Sequence, residues 1–294
     1  MSMRVTNTMQ LMQSQRNLQS SKASLADLTN QASTGIKLNK PSDDPMGTAN
    51  LLAIKRQQAQ STQYVRNAND GNAWLGTADS ALSGIGNDMT RLRNLAIEAA
   101  SGTNSDASLK SIADEMQAIK KDVLALANTQ YQGRTVFAGT SDAGAAYDTT
   151  TYAFAGSPTA SVQRRIGPEL TVQVDVNGGA VFGEGQNSVF SFIDELSAAV
   201  TAGGDVTTRI ATLDQYADKI TAAHATVGAS QNRIASAKAL LDTQSNTLKQ
   251  SRSDIESIDA ADAILQLQSQ SNAYQMALAV TAQSNTKTLM DYLS

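Results

Sequence analysis

Leu213, Ile220, Val227, Ile234, Leu241, Leu248 and Ile255 recur at every seventh residue, and no other feature constrains the fold as much. A strict seven-residue apolar period makes a helix supercoil around a partner. No Pro follows Pro168, so the helix is expected to run from about Ala211 toward the C-terminus. At about 1.5 Å rise per residue, such a helix is roughly 120 Å long if unbroken, and the expected molecule is elongated. The companion positions Tyr216, Ala223, Ser230, Ala237, Gln244, Ser251 and Ile258 are small or polar along the middle of the run. Small residues let a second helix approach closely but bury little apolar surface. A self-sufficient zipper carries Leu in that row, so the seam is expected to be completed by helices of the same chain.

Partners for it are readable at the N-terminus. Leu11, Leu18 and Leu25 keep heptad spacing, with Leu28 three residues on, and predict a helix from Val5 to about Ser33. Only Arg4, Arg16, Lys22 and Asp27 are charged before Gly35, and only Lys287 and Asp291 in the last thirty residues. Near the C-terminus Ile264, Leu267, Tyr274, Leu278 and Leu289 fall close to one helical face. By contrast, Asp106 to Asp122 is rich in charge, as a solvated helix face is. Both ends are therefore expected to contact protein on more than one side, and these leucines, isoleucines and Tyr274 are the candidate assembly residues.

Between the ends, Ser33-Thr34-Gly35-Ile36-Lys37 followed by Pro41-Ser42-Asp43-Asp44-Pro45 predicts a helix stop, a turn and a new helix start. The paired aspartates suit N-capping. A metal site is the alternative, although no further acidic or His ligand is spaced nearby. Leu75, Ala78, Leu82, Ile85, Met89, Leu92, Ala96 and Ala99 form one helical stripe, with Trp74 at its edge as a core or subunit contact. Leu109, Ile112, Met116, Ile119, Val123 and Leu126 form a second, capped by Ser105 or Asp106 and expected to fold back antiparallel. Gly133 to Gly139 reads as a short extended segment. From about Thr140 to Gly204 the composition shifts to Gly, Thr, Val, Tyr and Phe, with alternation over 170–176, a turn at Asn177-Gly178-Gly179 and a return through 180–182.

The expected fold is mainly α with a small β insertion. Residues 1–44 with 266–294 form a terminal coiled coil, 45–140 with 205–265 a helical body, and 141–204 a β-rich insertion. This insertion is expected to be an add-on whose removal leaves the body folded.

Composition narrows the function. Net charge is -4 with no clustered Lys and Arg, which argues against nucleic acid as a partner. There is no Cys, so disulfides and thiolate chemistry are excluded. The N-terminus lacks the apolar core of a secretory signal, and no run approaches the length of a membrane span, so no membrane insertion is expected. His224, the single His, has no nucleophile or metal-ligand pattern around it. No phosphate loop follows a strand. The chain reads as a noncatalytic assembly protein without a cofactor, and an independent cytosolic coiled-coil scaffold is an alternative.

At this point several segments resemble the flagellin superfamily of bacterial flagella. Ser33-Thr34-Gly35 before Pro41-Ser42-Asp43-Asp44-Pro45 is similar to a signature of its hook-associated members. Asn104-Ser105-Asp106 with Leu109-Lys110-Ser111-Ile112, and Val227-Gly228-Ala229-Ser230-Gln231-Asn232-Arg233-Ile234, resemble segments shared with flagellin itself. Gly133-Arg134-Thr135-Val136-Phe137-Ala138-Gly139 and Leu289-Met290-Asp291-Tyr292-Leu293 resemble the hook-filament junction members more than flagellin. The resemblance implies an elongated flagellin-like fold and a structural role as a ring of identical subunits at the distal end of the hook. It implies as partners the companion larger hook-filament junction protein, flagellin and a cytosolic flagellar export chaperone holding the C-terminal helix. Export through the flagellar type III apparatus to the cell exterior follows from the same likeness, and a short flagellin is the nearest alternative.

Overall fold

A computed structural model describes residues 7–101, 103–157 and 159–290, and their side chains except those of residues 7, 8, 10, 11 and 283–290. In chain order the elements are α1 (Asn7–Thr34), α2 (Pro45–Ala99), α3 (Asp106–Ala127), β1 (Gln130–Tyr131), β2 (Arg134–Thr135), β3 (Gln163–Arg165), β4 (Thr171–Gln173), α4 (Gly178–Phe182), α5 (Val189–Thr201), α6 (Thr207–Glu256) and α7 (Ala260–Met290). The chain is mainly helical, and its described sheets are two small antiparallel pairs. The described residues up to Ala59 and from Ser245 form one compact unit, and Gln60–Gln244 form another. The second unit includes the whole of 141–204.

In the unit 60–244 the apolar stripes become the interior of a helical bundle. Leu75, Leu82, Ile85, Met89 and Leu92 of α2 are buried with Ile112, Met116, Ile119 and Val123 of α3, and with Leu213, Ile220, Val227 and Ile234 of α6. Leu241 is buried as well. Polar pairs fix the directions. Arg93–Asp214 at 2.8 Å, Asp79–His224 at 2.8 Å and Asn69–Lys238 at 2.9 Å step up α2 as they step down α6, so the two run antiparallel. Arg91 pairs with Glu115, turning α3 back along α2. Ser105 caps α3 by accepting from the Ser108 N–H at 3.2 Å. The Ser197 hydroxyl donates to the Ala113 carbonyl at 3.2 Å and seats α5 on α3.

Residues 141–204 enter the same core. Val162, Ile166, Val172, Val174, Phe182, Phe190, Ile193 and Leu196 are contiguous with the buried faces of α2, α3 and α6. β3 pairs with β4 from Gln163 opposite Gln173 to Arg165 opposite Thr171, and Arg164 bonds Asp70 of α2 at 2.7 Å. Every Phe of the chain lies between positions 137 and 192. The rings of Phe154, Phe182 and Phe190 gather around Tyr147, which lies 5.0 Å from Phe190 and 5.2 Å from Phe154 between centroids. These offset and edge contacts add to burial, and Phe192 meets Tyr216 of the companion row of α6 at 5.6 Å. Trp74 is buried and meets Tyr131 edge-on at 5.8 Å.

Two local expectations need correction. The segment after Asn177 is not a returning strand: the Asn177 side chain accepts from the Ala180 N–H at 3.2 Å and starts helix α4. An Asn-Gly pair opens a hairpin only if the chain turns back, and here N-capping wins. The C-terminal helix is also not continuous. It stops at Glu256 and restarts at Ala260, because the Asp259 carboxylate accepts from the N–H groups of Ala261 at 2.8 Å and Asp262 at 3.3 Å and caps a new helix.

Candidate assembly surface

The unit holding α1 and α7 is built differently. α1 ends at Gly35, whose φ of +70° is the left-handed position that closes a helix and favours Gly. Its N–H returns to the Gln31 carbonyl at 2.8 Å. The chain then turns through Asp43, whose carboxylate accepts from the Lys40 N–H at 2.9 Å, and Asp44, which caps α2 by accepting from Gly47 at 2.8 Å. Both aspartates thus serve the backbone.

Ile36 forms an antiparallel backbone bridge with Ser257. The Lys37 N–H donates to the Glu256 carbonyl at 2.8 Å and the Ile258 N–H to the Gly35 carbonyl at 3.1 Å. The breaks between α1 and α2 and between α6 and α7 are therefore bonded to each other. Beside them Lys55 pairs with Glu256 at 3.1 Å. The bond from Arg252 holds the Glu256 carboxyl below its ordinary range, against burial and with help from Lys55. Leu248 is buried here, and Ile255 is half-buried.

α1 and α7 pair along one seam. Among the covered positions, Ser14, Leu18, Ser21, Leu25, Leu28 and Ala32 form a row on α1, and Ala263, Leu267, Gln270, Tyr274, Ala277 and Thr281 a row on α7. Both rows alternate steps of four and three, the spacing of a coiled-coil seam. Gln270 donates to the Ser21 carbonyl and hydroxyl, each at 3.2 Å. A polar layer of this kind fixes register at some cost in stability. Among the sequence-derived candidates, Leu18, Leu25, Leu28, Leu267 and Tyr274 thus lie on the seam.

Ile264 and Leu278 do not. They are 61% and 42% exposed, and Leu265, Met276 and Val280 of α7 are exposed as well. Met9 and Met12 of α1 are also exposed. The side chains of Leu11 and Leu289 lie outside the described residues. Sequence reasoning missed the small and polar seam members Ala263, Gln270, Ala277 and Thr281, which the alternation counted from Leu267 could have found. Asp262 is the one charge between Ala260 and Ala282, so the outer face is apolar with amides and hydroxyls around it. Such a face is suited to protein contact rather than to chemistry. Among the described residues, no cluster of His, Cys, Asp or Glu could hold a metal ion, and no helix is long and apolar enough to cross a membrane.

Comparison with known proteins agrees with this architecture. Residues 5–142 match the bacterial flagellin N-terminal helical region, and residues 210–293 match the bacterial flagellin C-terminal helical region. Phase 1 flagellin of Salmonella naestved is 38% identical over 129 residues, which is 44% of this chain and 25% of that protein. The match thus spans about a quarter of that flagellin's length. FlgL of Xanthomonas campestris has a similar fold, with a TM-score of 0.61 at 20% identity over 68% of this chain and 99% of that one. FlgL of Bacillus cereus gives a TM-score of 0.60 at 24% identity over 68% and 99%.

Proposed function

Because the chain belongs to the flagellin family and is a structural protein of the bacterial flagellum, we propose that it forms the junction ring between hook and filament. The observation that carries this reading is the likeness to FlgL folds, which this chain covers over nearly their whole length. The outward apolar face of α7 supports it, since two helices sharing a single seam leave surface that a neighbouring subunit can bury. On this reading the described helices α1 and α7 meet copies of themselves, the companion larger junction protein on the hook side and flagellin on the filament side. A cytosolic export chaperone covers α7 before the chain leaves the cell through the flagellar type III apparatus.

A filament subunit is the second reading, favoured by 38% identity to Salmonella flagellin. Labelling the protein on isolated flagella separates the two. A single band where hook meets filament is expected, and label along the whole filament overturns the junction assignment.

A further inference from the structure

Residues 148–153 form a loop on the unit 60–244 in which every side chain is exposed except that of Tyr152. Tyr152 has φ of +55°, a left-handed conformation unfavourable for an aromatic residue and kept only where the surroundings over-determine it. Here they do. The Tyr152 hydroxyl donates to Asp194 Oδ2 of α5 at 2.7 Å and accepts from Lys120 Nζ of α3 at 3.1 Å. Lys120 also donates to Asp194 Oδ1 at 2.6 Å, as does Gln117 Nε2 at 2.9 Å. The ring lies 5.7 Å from that of Phe190. Burial alone would raise the Asp194 carboxyl, but the bonds from Lys120, Tyr152 and Gln117 outweigh it and hold the group below its ordinary range.

The rest of the loop is tied only to itself and to one linker. Asp148 closes the turn by accepting from the N–H groups of Thr150 and Thr151. The Tyr152 N–H donates to the Asp148 carbonyl at 3.1 Å, the Asp148 N–H to the Ala153 carbonyl at 3.1 Å, and the Gly185 N–H to the Tyr152 carbonyl at 2.9 Å. At its base Tyr147 is buried, and its hydroxyl donates to the Gly183 carbonyl at 2.9 Å.

We propose that residues 148–153 are a strap that opens independently of the helical bundle, with Tyr152, Asp194 and Lys120 as its clasp. The strain at Tyr152 opposes closure and the charge-assisted bonds hold it shut, so the strap has one fastening point and comes away as a unit. Opening uncovers Phe190 and releases the Gly185 N–H, while the linker ahead of α5 stays held by Tyr147 at Gly183 and by Tyr216 at Asn187.

The test is hydrogen exchange on the full chain, comparing wild type with Tyr152→Phe and Asp194→Asn. Thermal unfolding followed by circular dichroism verifies that each variant is folded. Tyr152→Phe removes only the hydroxyl; Asp194→Asn removes the charge that organises the cluster. At least tenfold faster exchange of the Tyr152 and Gly185 amides is expected in both folded variants, with Ile119 and Val123 of α3 unchanged. Two results overturn the proposal: Tyr152 and Gly185 amides exchanging only through global unfolding in all three proteins, or α3 amides accelerating together with them. A variant that fails to fold counts as the second result, since the cluster is then a tie of the core.

Discussion

Leu267 and Leu278 lie about three turns apart on one helix, yet a carboxylate at each is expected to do opposite things. Leu267 is half-buried in the seam row with α1, whereas Leu278, nearly in line with it, is 42% exposed at the edge of that seam. A fully buried Leu is worth about 1.5–3 kcal/mol, so the covered part of Leu278 contributes roughly 1–1.7 kcal/mol within the subunit. Leu278→Asp should therefore weaken α7 by that order, without reaching the bundle of residues 60–244. In the ring proposed above, the same carboxylate would be closed in by a neighbour. An unpaired buried charge costs at least roughly 3 kcal/mol, which is about 150-fold in affinity at every interface of a ring. Leu267→Asp, in contrast, puts the charge between α1 and α7 and should separate the pair in the monomer. The assay combines hydrogen exchange of the monomer with motility and filament attachment in cells, with chaperone binding measured separately. Attached filaments in Leu278→Asp cells, or a monomer in which Leu278→Asp separates α1 from α7 as fully as Leu267→Asp, would refute the division of α7 into a covered seam and an exposed edge.

Phe182 is fully buried among Phe137, Tyr147 and Phe190, and Phe182→Ala should cost about 3–5 kcal/mol in thermal or denaturant unfolding; a loss below about 1 kcal/mol would mean that the ring cluster collapses freely around the gap. Burial raises the Asp175 carboxyl, opposed by its bonds from the Val162 and Asp175 N–H groups and from Gln173. Its folded state therefore binds a proton more tightly than the unfolded state, and ionised Asp175 costs stability that sets in as pH rises from the unfolded value toward the folded one. Asp175→Asn should raise the melting temperature near pH 7 and not near pH 3, and an equal change at both would point to packing instead of charge. Deleting residues 141–203 should abolish cooperative helical unfolding, since Val172, Val174, Phe190 and Leu196 share the core with α2, α3 and α6; a deletion variant that unfolds as sharply as wild type would restore the picture of an add-on.

That the shared core of 141–204 and the bundle leaves no mark in the sequence has a physical origin. Heptads such as Leu213 to Ile234 are legible because a seam repeats, and each repeat confirms the last. What the 141–204 segment packs against is set by contacts between residues far apart in sequence, such as Arg164 with Asp70, and leaves no period to read. The break at Ser257–Asp259 was hidden for a related reason. Asp259 prefers a cap to a helix interior, but a single Asp also occurs on solvated helix faces, and the bridge to Ile36 from the other end of the chain accompanies the break without leaving a local signal. On α7 the large residues drew attention to a single face, whereas the seam is made of Ala263, Gln270, Ala277 and Thr281 as much as of Leu267 and Tyr274.

That bridge joins the two helix breaks through N–H and C=O groups alone, so the joint is written in the main chain. Side chains at 36, 37, 257 and 258 are free to diverge under selection for whatever they touch outside, and the connection survives because every residue but one brings the same donor and acceptor. Proline at 37 or 258 is the exception, since it arrives without the donor that each of those positions gives to the opposite strand. Variation in this stretch should thus be broad in chemistry and narrow in backbone.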